Sequence, residues 1–295
     1  MSKIKILEKS IKWIDCVNLN IDKKKEILKN YNFHELDVDA CLEENQFTRV
    51  NKNEDYIFII LDFPKYITNN IYIKNEFDIF LKDFILTFRD YPSSHVDKIF
   101  DIYENIVSET ENINNGYILY KIIESMFEKT YNIIHKQKGD LNKLEVDIFG
   151  HFTTYEVKHI LIKKRNITLL KHIFRPQILI LKQLEIALNF FKEYELYFED
   201  LQDKIDFIVN QILVLYEIIE NIEDAFRNIV EIKLNKLIAI LTMFSTFMLP
   251  LTFITSFYGM NIALPFQNNT YFIYFLLSLS IILTLILLLY LTKKS

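Results

Sequence analysis

Glycine is scarce here, with 4 in 295 residues, and so are cysteine (2), tryptophan (1) and proline (5). Each shortage excludes something. The sequence has no glycine-rich phosphate loop. Cys16 and Cys41 lie far apart and form no CxxC pair; two free thiols in a reducing compartment are expected, with a single disulfide as the alternative. The six histidines, His34, His95, His135, His151, His159 and His172, show no HxxxH or HExxH spacing and read as ordinary surface or core residues. "FRDYPSSH" reads as a loop rather than a nucleophile site. No enzyme chemistry and no organic cofactor is therefore expected. The net charge of -5 argues against the basic face that a nucleic-acid binder needs. "MSKIKILEKS" lacks the apolar core of a signal peptide, so the large polar part is expected to stay in the cytosol.

The most telling shortage is of charge. From Leu237 to Thr292 there is no Asp, Glu, Lys or Arg. Within that stretch, 237–258 and 271–291 each match the roughly 20 residues that cross a bilayer as a helix. Lys233 and Lys236 precede the first segment, Lys293 and Lys294 follow the second, and the connecting loop 259–270 has no basic residue. Positive flanks favour the cytosolic side, so both termini are expected there and the loop outside, in a multi-pass plasma-membrane protein. Phe257, Tyr258, Tyr271 and Tyr274 flank the loop as interfacial aromatics do.

The two segments differ in kind. The second is mostly Leu, Ile and Phe and suits lipid. The first carries Thr242, Ser245, Thr246, Thr252, Thr255 and Ser256, with Pro250 in its interior. Counting back in alternating steps of four and three gives Ser256, Thr252, Leu249, Ser245, Thr242, Ile238, Asn235, Glu231, Asn228 and Asp224. On a continuous helix these share one face. A second stripe, Ile205, Ile208, Ile212, Leu215, Ile219, Ile222, Phe226 and Ile229, is apolar and keeps the same rhythm. The helix thus has a packing seam and a polar seam. Two readings of the membrane hydroxyls stand: they bond back to carbonyls of the preceding turn, or they face water. One polar face cannot enclose a pore, but several copies around an axis can. Acids outnumber bases between Glu199 and Glu231, which suits either a solvated face or a cation-attracting approach.

"TFMLPLTFITSFYGMN" resembles the signature of the CorA family of divalent-cation transporters, whose hallmark Tyr-Gly-Met-Asn lies at the outer end of the first span. Pro250-Leu251-Thr252 and Asn235 also match the family pattern, and "YFEDLQD" at Tyr197–Asp203 resembles the start of its stalk. The resemblance implies a CorA-like funnel: an α/β cytosolic domain, very long helices and a C-terminal two-helix transmembrane hairpin. It implies a homo-oligomer, a pentamer, importing Mg2+, with Co2+, Ni2+ or Zn2+ as alternatives. It implies a filter at Gly259, Met260 and Asn261, and a pore lined by Asp224, Asn235, Ile238, Leu241, Leu249 and Thr252, to which the stripe adds Asn228, Glu231, Thr242 and Ser245. Ile238, Leu241 and Leu249 fall at its apolar constrictions. Asp200 matches a stalk aspartate that holds regulatory Mg2+ with a carboxylate from a neighbour; neither Asp62 nor Asp90 is assigned that second role. Many relatives carry an acid after the asparagine, where "IALPFQNNT" is neutral. Gly259 is expected to allow close backbone approach or a positive φ where the helix ends. The competing class is a membrane-anchored coiled-coil scaffold or sensor without a pore.

The domains that follow are 1–113, a cytosolic α/β domain; 114–236, long cytosolic helices including the stalk; 237–258, the first span; 259–270, the outer loop; and 271–291, the second span. In the first, "KWIDCVNL", "FTRVNK", "DYIFIILDF" and "EFDIFLKDFILTFRD" read as strands, the last as a hairpin turning at Lys82-Asp83. "DKKKEILKNY" and "LDVDACLEE" read as helices. The stretch from Thr153 to Phe198 reads as one very long helix with Pro176 inside it, a place where a kink is expected.

Overall fold

The computed structural model describes residues 2–8, 11–43, 46–68, 70–105, 114–150, 154–188, 195–262, 264–266 and 269–294. The chain divides into two compact units, Met1–Glu223 and Asp224–Ser295.

The first unit is built on a mixed sheet of six strands: β1 (Lys3–Glu8), β2 (Lys12–Val17), β3 (Arg49–Lys52), β4 (Ile57–Tyr66), β5 (Tyr72–Leu81) and β6 (Ile85–Arg89), in the order β1-β2-β6-β5-β4-β3. Only β2 and β6 run parallel, with Trp13 opposite Ile85 and Val17 opposite Arg89. The β5–β6 hairpin turns where the sequence places it: the Lys82 amide donates to the Phe84 carbonyl at 2.9 Å. Strand β4 is buried over most of its length. That is what its run of Ile, Phe and Leu requires, because both faces of the sheet are covered.

On one face, Ile14, Cys16, Phe58, Ile60, Phe80 and Phe88 meet α1 (Ile21–Leu28) and α2 (Glu35–Leu42) through Leu28, Ala40 and Cys41. Asn20 caps α1, accepting the Lys23 amide at 3.1 Å. Asp37 ties α2 to the sheet by accepting from Asn51, Asn53 and the Tyr56 hydroxyl at 2.6, 2.8 and 2.7 Å. Both cysteines are free, as expected; both are also buried, and burial pushes the Cys16 thiol up to about 12.

The other face carries α3 (Ser94–Asn105), α4 (Asn115–Gly150) and α5 (Thr154–Leu188). Trp13 packs on Phe100 of α3 with ring centroids 5.0 Å apart, and Phe63 packs on Phe127 of α4 and Phe174 of α5. Here the sheet buries an ion pair. Arg89 donates through Nη2 and Nε to both oxygens of Asp15, at 2.6 and 3.0 Å, with both side chains fully buried. The same Nη2 reaches Asp97 of α3 at 2.8 Å. Burial raises the Asp97 carboxyl, but Arg89 and Lys5 outweigh it and hold the group below its ordinary range.

The single helix expected from Thr153 to Phe198 is two helices. α5 ends at Leu188, and α6 spans Glu195–Tyr258. Their contacts run in opposite directions: Glu185 accepts from Gln202, the Lys171 ammonium sits 4.2 Å from the Tyr216 ring centroid, and Lys164 pairs with Glu223 at 2.5 Å. α5 and α6 therefore pack antiparallel. Residue 153, where the expected helix began, and residues 189–194 lie outside the described residues. Pro176 sits inside α5 as expected. The apolar seam of α6 is buried from Ile205 through Ile208, Ile212, Leu215 and Ile219 to Ile222. The sequence reading also passed over β1 and α3.

The second unit comprises the remainder of α6 and α7 (Thr270–Lys294). By length and composition one helix, Leu196–Tyr258, is long and apolar enough to cross a membrane, and its most apolar window has no buried residue; Thr270–Ile286 is a shorter apolar helix among the described residues.

Candidate ion pathway and carboxylate cluster

Every member of the polar stripe from Asp224 to Ser256 lies on α6 and is exposed. The apolar members share that exposure: Ile238 is 52% exposed, Leu249 68%, and the neighbouring Leu241 65%. The charge-free part of α6 thus offers bare apolar side chains over most of its surface, with one face through Phe247, Pro250, Leu251, Ile254 and Tyr258 half-buried, and water alone would not stabilise that exposure.

Some of the hydroxyls are bonded back. Thr242 donates to the Ile238 carbonyl at 2.8 Å, Thr252 to Met248 at 2.9 Å and Thr255 to Leu251 at 2.9 Å. This uses each hydroxyl's single proton inside the helix and leaves its oxygen lone pairs as acceptors. The two readings of these hydroxyls are therefore compatible: a back-bonded threonine still offers an acceptor to whatever lies beside it.

The helix ends at Tyr258. The Gly259 amide donates to the Thr255 carbonyl at 2.9 Å, and the Met260 amide reaches the Phe257 carbonyl at 3.4 Å. Gly259 does not have a positive φ, which corrects half of the expectation. The other half holds: a Cβ at Gly259 would stand 3.0 Å from the Thr255 carbonyl oxygen, so the turn fits glycine because backbone approaches it closely. Asn261 is exposed, and its amide has no hydrogen-bond partner among the described residues. Beyond it, Asn269 caps α7 by accepting the Phe272 amide at 3.3 Å. Ala263, Gln267 and Asn268 of the 259–270 segment lie outside the described residues.

Asp200 belongs to the first unit, near the start of α6. Its Oδ2 accepts the Lys204 ammonium at 2.6 Å and the Tyr120 hydroxyl at 2.9 Å. The same two groups reach Oε1 of Glu124 on α4, at 2.6 Å from Lys204 and 2.8 Å from Tyr120. Oε2 of Glu124 accepts Lys121 at 2.8 Å. Burial raises the Glu124 carboxyl, but Lys121, Lys204 and Tyr120 together hold it down to about 2. Two carboxylates plus waters is a set magnesium accepts. Here, however, an ammonium already stands between them, and among the described residues no three His, Cys, Asp or Glu side chains gather as a metal site.

Sequence reasoning missed Tyr120, Glu124 and Lys204. Lys204 was legible as the i+4 partner of Asp200. Tyr120 and Glu124 were not, because only the packing of α4 against α6 brings them there. The two aspartates left unassigned have other partners: Asp62 lies 3.3 Å from Lys74 and Asp90 3.5 Å from Lys24.

Comparison with known proteins places these features in a family. The model of the CorA-like Mg2+ transporter protein family matches residues 8–294. The cobalt/magnesium transport protein CorA of Thermotoga maritima is 25% identical over 262 residues, covering 84% of this chain and 72% of that protein. The protein of the same name from Methanocaldococcus jannaschii is 25% identical over 288 residues, covering 93% and 87%. The complete structure of the CorA magnesium transporter from M. jannaschii superposes with a TM-score of 0.79 at 21% identity, covering all of this chain and 94% of the other. The shared fold is that of a full-length CorA: an N-terminal α/β domain, a long helix and a shorter C-terminal helix.

Proposed function

The chain belongs to the CorA-like Mg2+ transporter protein family, and from that premise we propose that it carries divalent cations, Mg2+ first among them, through a pore formed by several copies. The carrying observation is the polar stripe of α6, which keeps to one face from Asp224 to Ser256 and is exposed along its whole length. Turned toward lipid, such a stripe would be costly. Turned toward the same stripe on other copies around a closed axis, it becomes the wall of a water-filled path. A pentamer is the arrangement proposed, with 237–258 lining the path and 271–291 shielding it from lipid, in the plasma membrane with both termini cytosolic.

Ions approach past Asp224, Asn228, Glu231 and Asn235, then pass Ile238, Leu241, Thr242, Ser245, Leu249 and Thr252. Ile238, Leu241 and Leu249 are the apolar constrictions, which close by dewetting. The back-bonded hydroxyls of Thr242 and Thr252 face the path as acceptors, the polarity that cation-bound water requires. At the outer end, Gly259, Met260 and Asn261 form the filter. Magnesium gives up its waters reluctantly, so a filter that reads the hydrated ion is faster than one that strips it. A ring of Asn261 carbonyls accepts hydrogen bonds from those waters without the grip of a fixed charge. Cytosolic Mg2+ closes the pore by occupying acidic stalk sites that include Asp200. Cobalt is the second cargo to consider, since relatives are named for cobalt and magnesium together.

The test is uptake of Mg2+ into liposomes containing the full chain, compared with Asn261→Ala. Wild-type protein should load the vesicles and the variant should fall to the level of empty ones. Equal rates for the two would remove Asn261 from the filter. A monomer in mild detergent would sink the pore itself and favour the scaffold reading.

A further inference from the structure

The ammonium of Lys204 stands where a cation shared by Asp200 and Glu124 would stand, 2.6 Å from an oxygen of each. Its position is fixed from several sides. Tyr120 bonds the same two oxygens, and its ring centroid lies 5.7 Å from the ammonium. Tyr197 packs against Tyr120 with centroids 5.0 Å apart. Lys121 occupies the far oxygen of Glu124. Asp200 is therefore only half open: its Oδ2 is taken and its Oδ1 has no partner among the described residues. A divalent ion that takes Oδ2, or that Asp200 and Glu124 share, must first move a lysine.

We propose that Lys204 is a resident competitor of the regulatory divalent cation at Asp200 and sets the cytosolic Mg2+ level at which that carboxylate is engaged. The proposal rests on the reading of Asp200 as a regulatory carboxylate. The pair is suited to a threshold because it is partly open: Lys204 is 35% exposed and Asp200 42%. Ion pairs at such exposure are weak enough to exchange. When Mg2+ takes Asp200, the ammonium keeps Glu124 as its partner, so the charge released by one carboxylate is caught by the other. Glu124 thus acts as the parking place that lets Lys204 step aside without being left unpaired.

The experiment measures full-length protein in planar bilayers at graded Mg2+ on the cytosolic side, and in parallel the protection of the detergent-solubilised full chain from protease by Mg2+. Lys204→Met, which keeps the stem and removes the charge, should lower the half-inhibitory and half-protective Mg2+ concentrations by about 1.5- to fivefold, as loss of one such ion pair implies. Lys204→Arg, which keeps a cation in place, should leave both midpoints at or above wild type. If Asp200→Ala leaves Mg2+ inhibition intact, the regulatory reading of Asp200 fails. If Asp200→Ala abolishes inhibition while Lys204→Met leaves the midpoints unmoved or raises them, that reading stands and the competitor role of Lys204 is overturned. Should the Met variant not fold, an Arg variant with lowered midpoints overturns the role by itself, and one with raised midpoints supports it.

Discussion

Single residues show where sequence alone is a good guide and where it is not. Gly259 announced itself by rarity, and its reason is close backbone approach rather than the left-handed conformation. Asp62 gave no such signal. It lies on β4 directly opposite Glu76 of β5, with Lys74 within 3.3 Å. Burial, followed by the charge of Glu76, raises its carboxyl from 3.8 to about 6 against the opposing pull of Lys74. Between those two values the unfolded chain loses the proton first, so stability falls as pH rises through the window and the loss is complete above it. Asp62→Asn removes that dependence. The variant should gain on wild type as pH goes from 4 to 8, by about 2–3 kcal/mol at the upper end. Urea titrations of the detergent-solubilised protein at several pH values would show this, and a constant difference across the range would refute it.

Among the elements, legibility followed punctuation. The β5–β6 hairpin and helices α1 and α2 were readable because strand alternation, turn residues and caps mark them. The division into antiparallel α5 and α6 was not, since the sequence of 189–194 contains neither glycine nor proline and the apolar rhythm continues through it. Helix α3 carried a usable signal that went unread: Val96, Ile99 and Phe100 are buried at helical spacing. What seats α3 is less visible still, because it is an ion pair. Arg89 joins Asp15 of β2 to Asp97 of α3 across residues far apart in the chain. Removing one member of a buried pair strands the other's charge. Arg89→Met should therefore cost about 3–5 kcal/mol by urea denaturation, and a loss below about 1 kcal/mol would mean Asp15 finds another donor or a proton. The polar stripe of α6 was fully legible, because one helix carries it. The Lys204–Glu124 contact was not, because it joins two helices whose partnership no local pattern states.

At the scale of the whole molecule, the sequence supplied the stripe but not the number of copies that would close it, since a single chain records only its own face. It did supply a boundary. From Leu237 to Thr292, through the end of α6 and most of α7, the chain holds no Asp, Glu, Lys or Arg, and no histidine. In the proposed pore, an electric field across the bilayer would fall over that stretch. It would find nothing there to pull except a permeating ion, because voltage sensing depends on charges fixed to the protein within the field. Gating should then be indifferent to voltage: in planar bilayers, the fraction of time open at fixed cytosolic Mg2+ should be the same at -100 and +100 mV, while the current through each opening follows the driving force. A steep change in open probability would place moving charge in the field and contradict this. What lies inside the membrane would thus be a passive electrical element, with every control over it exercised from outside.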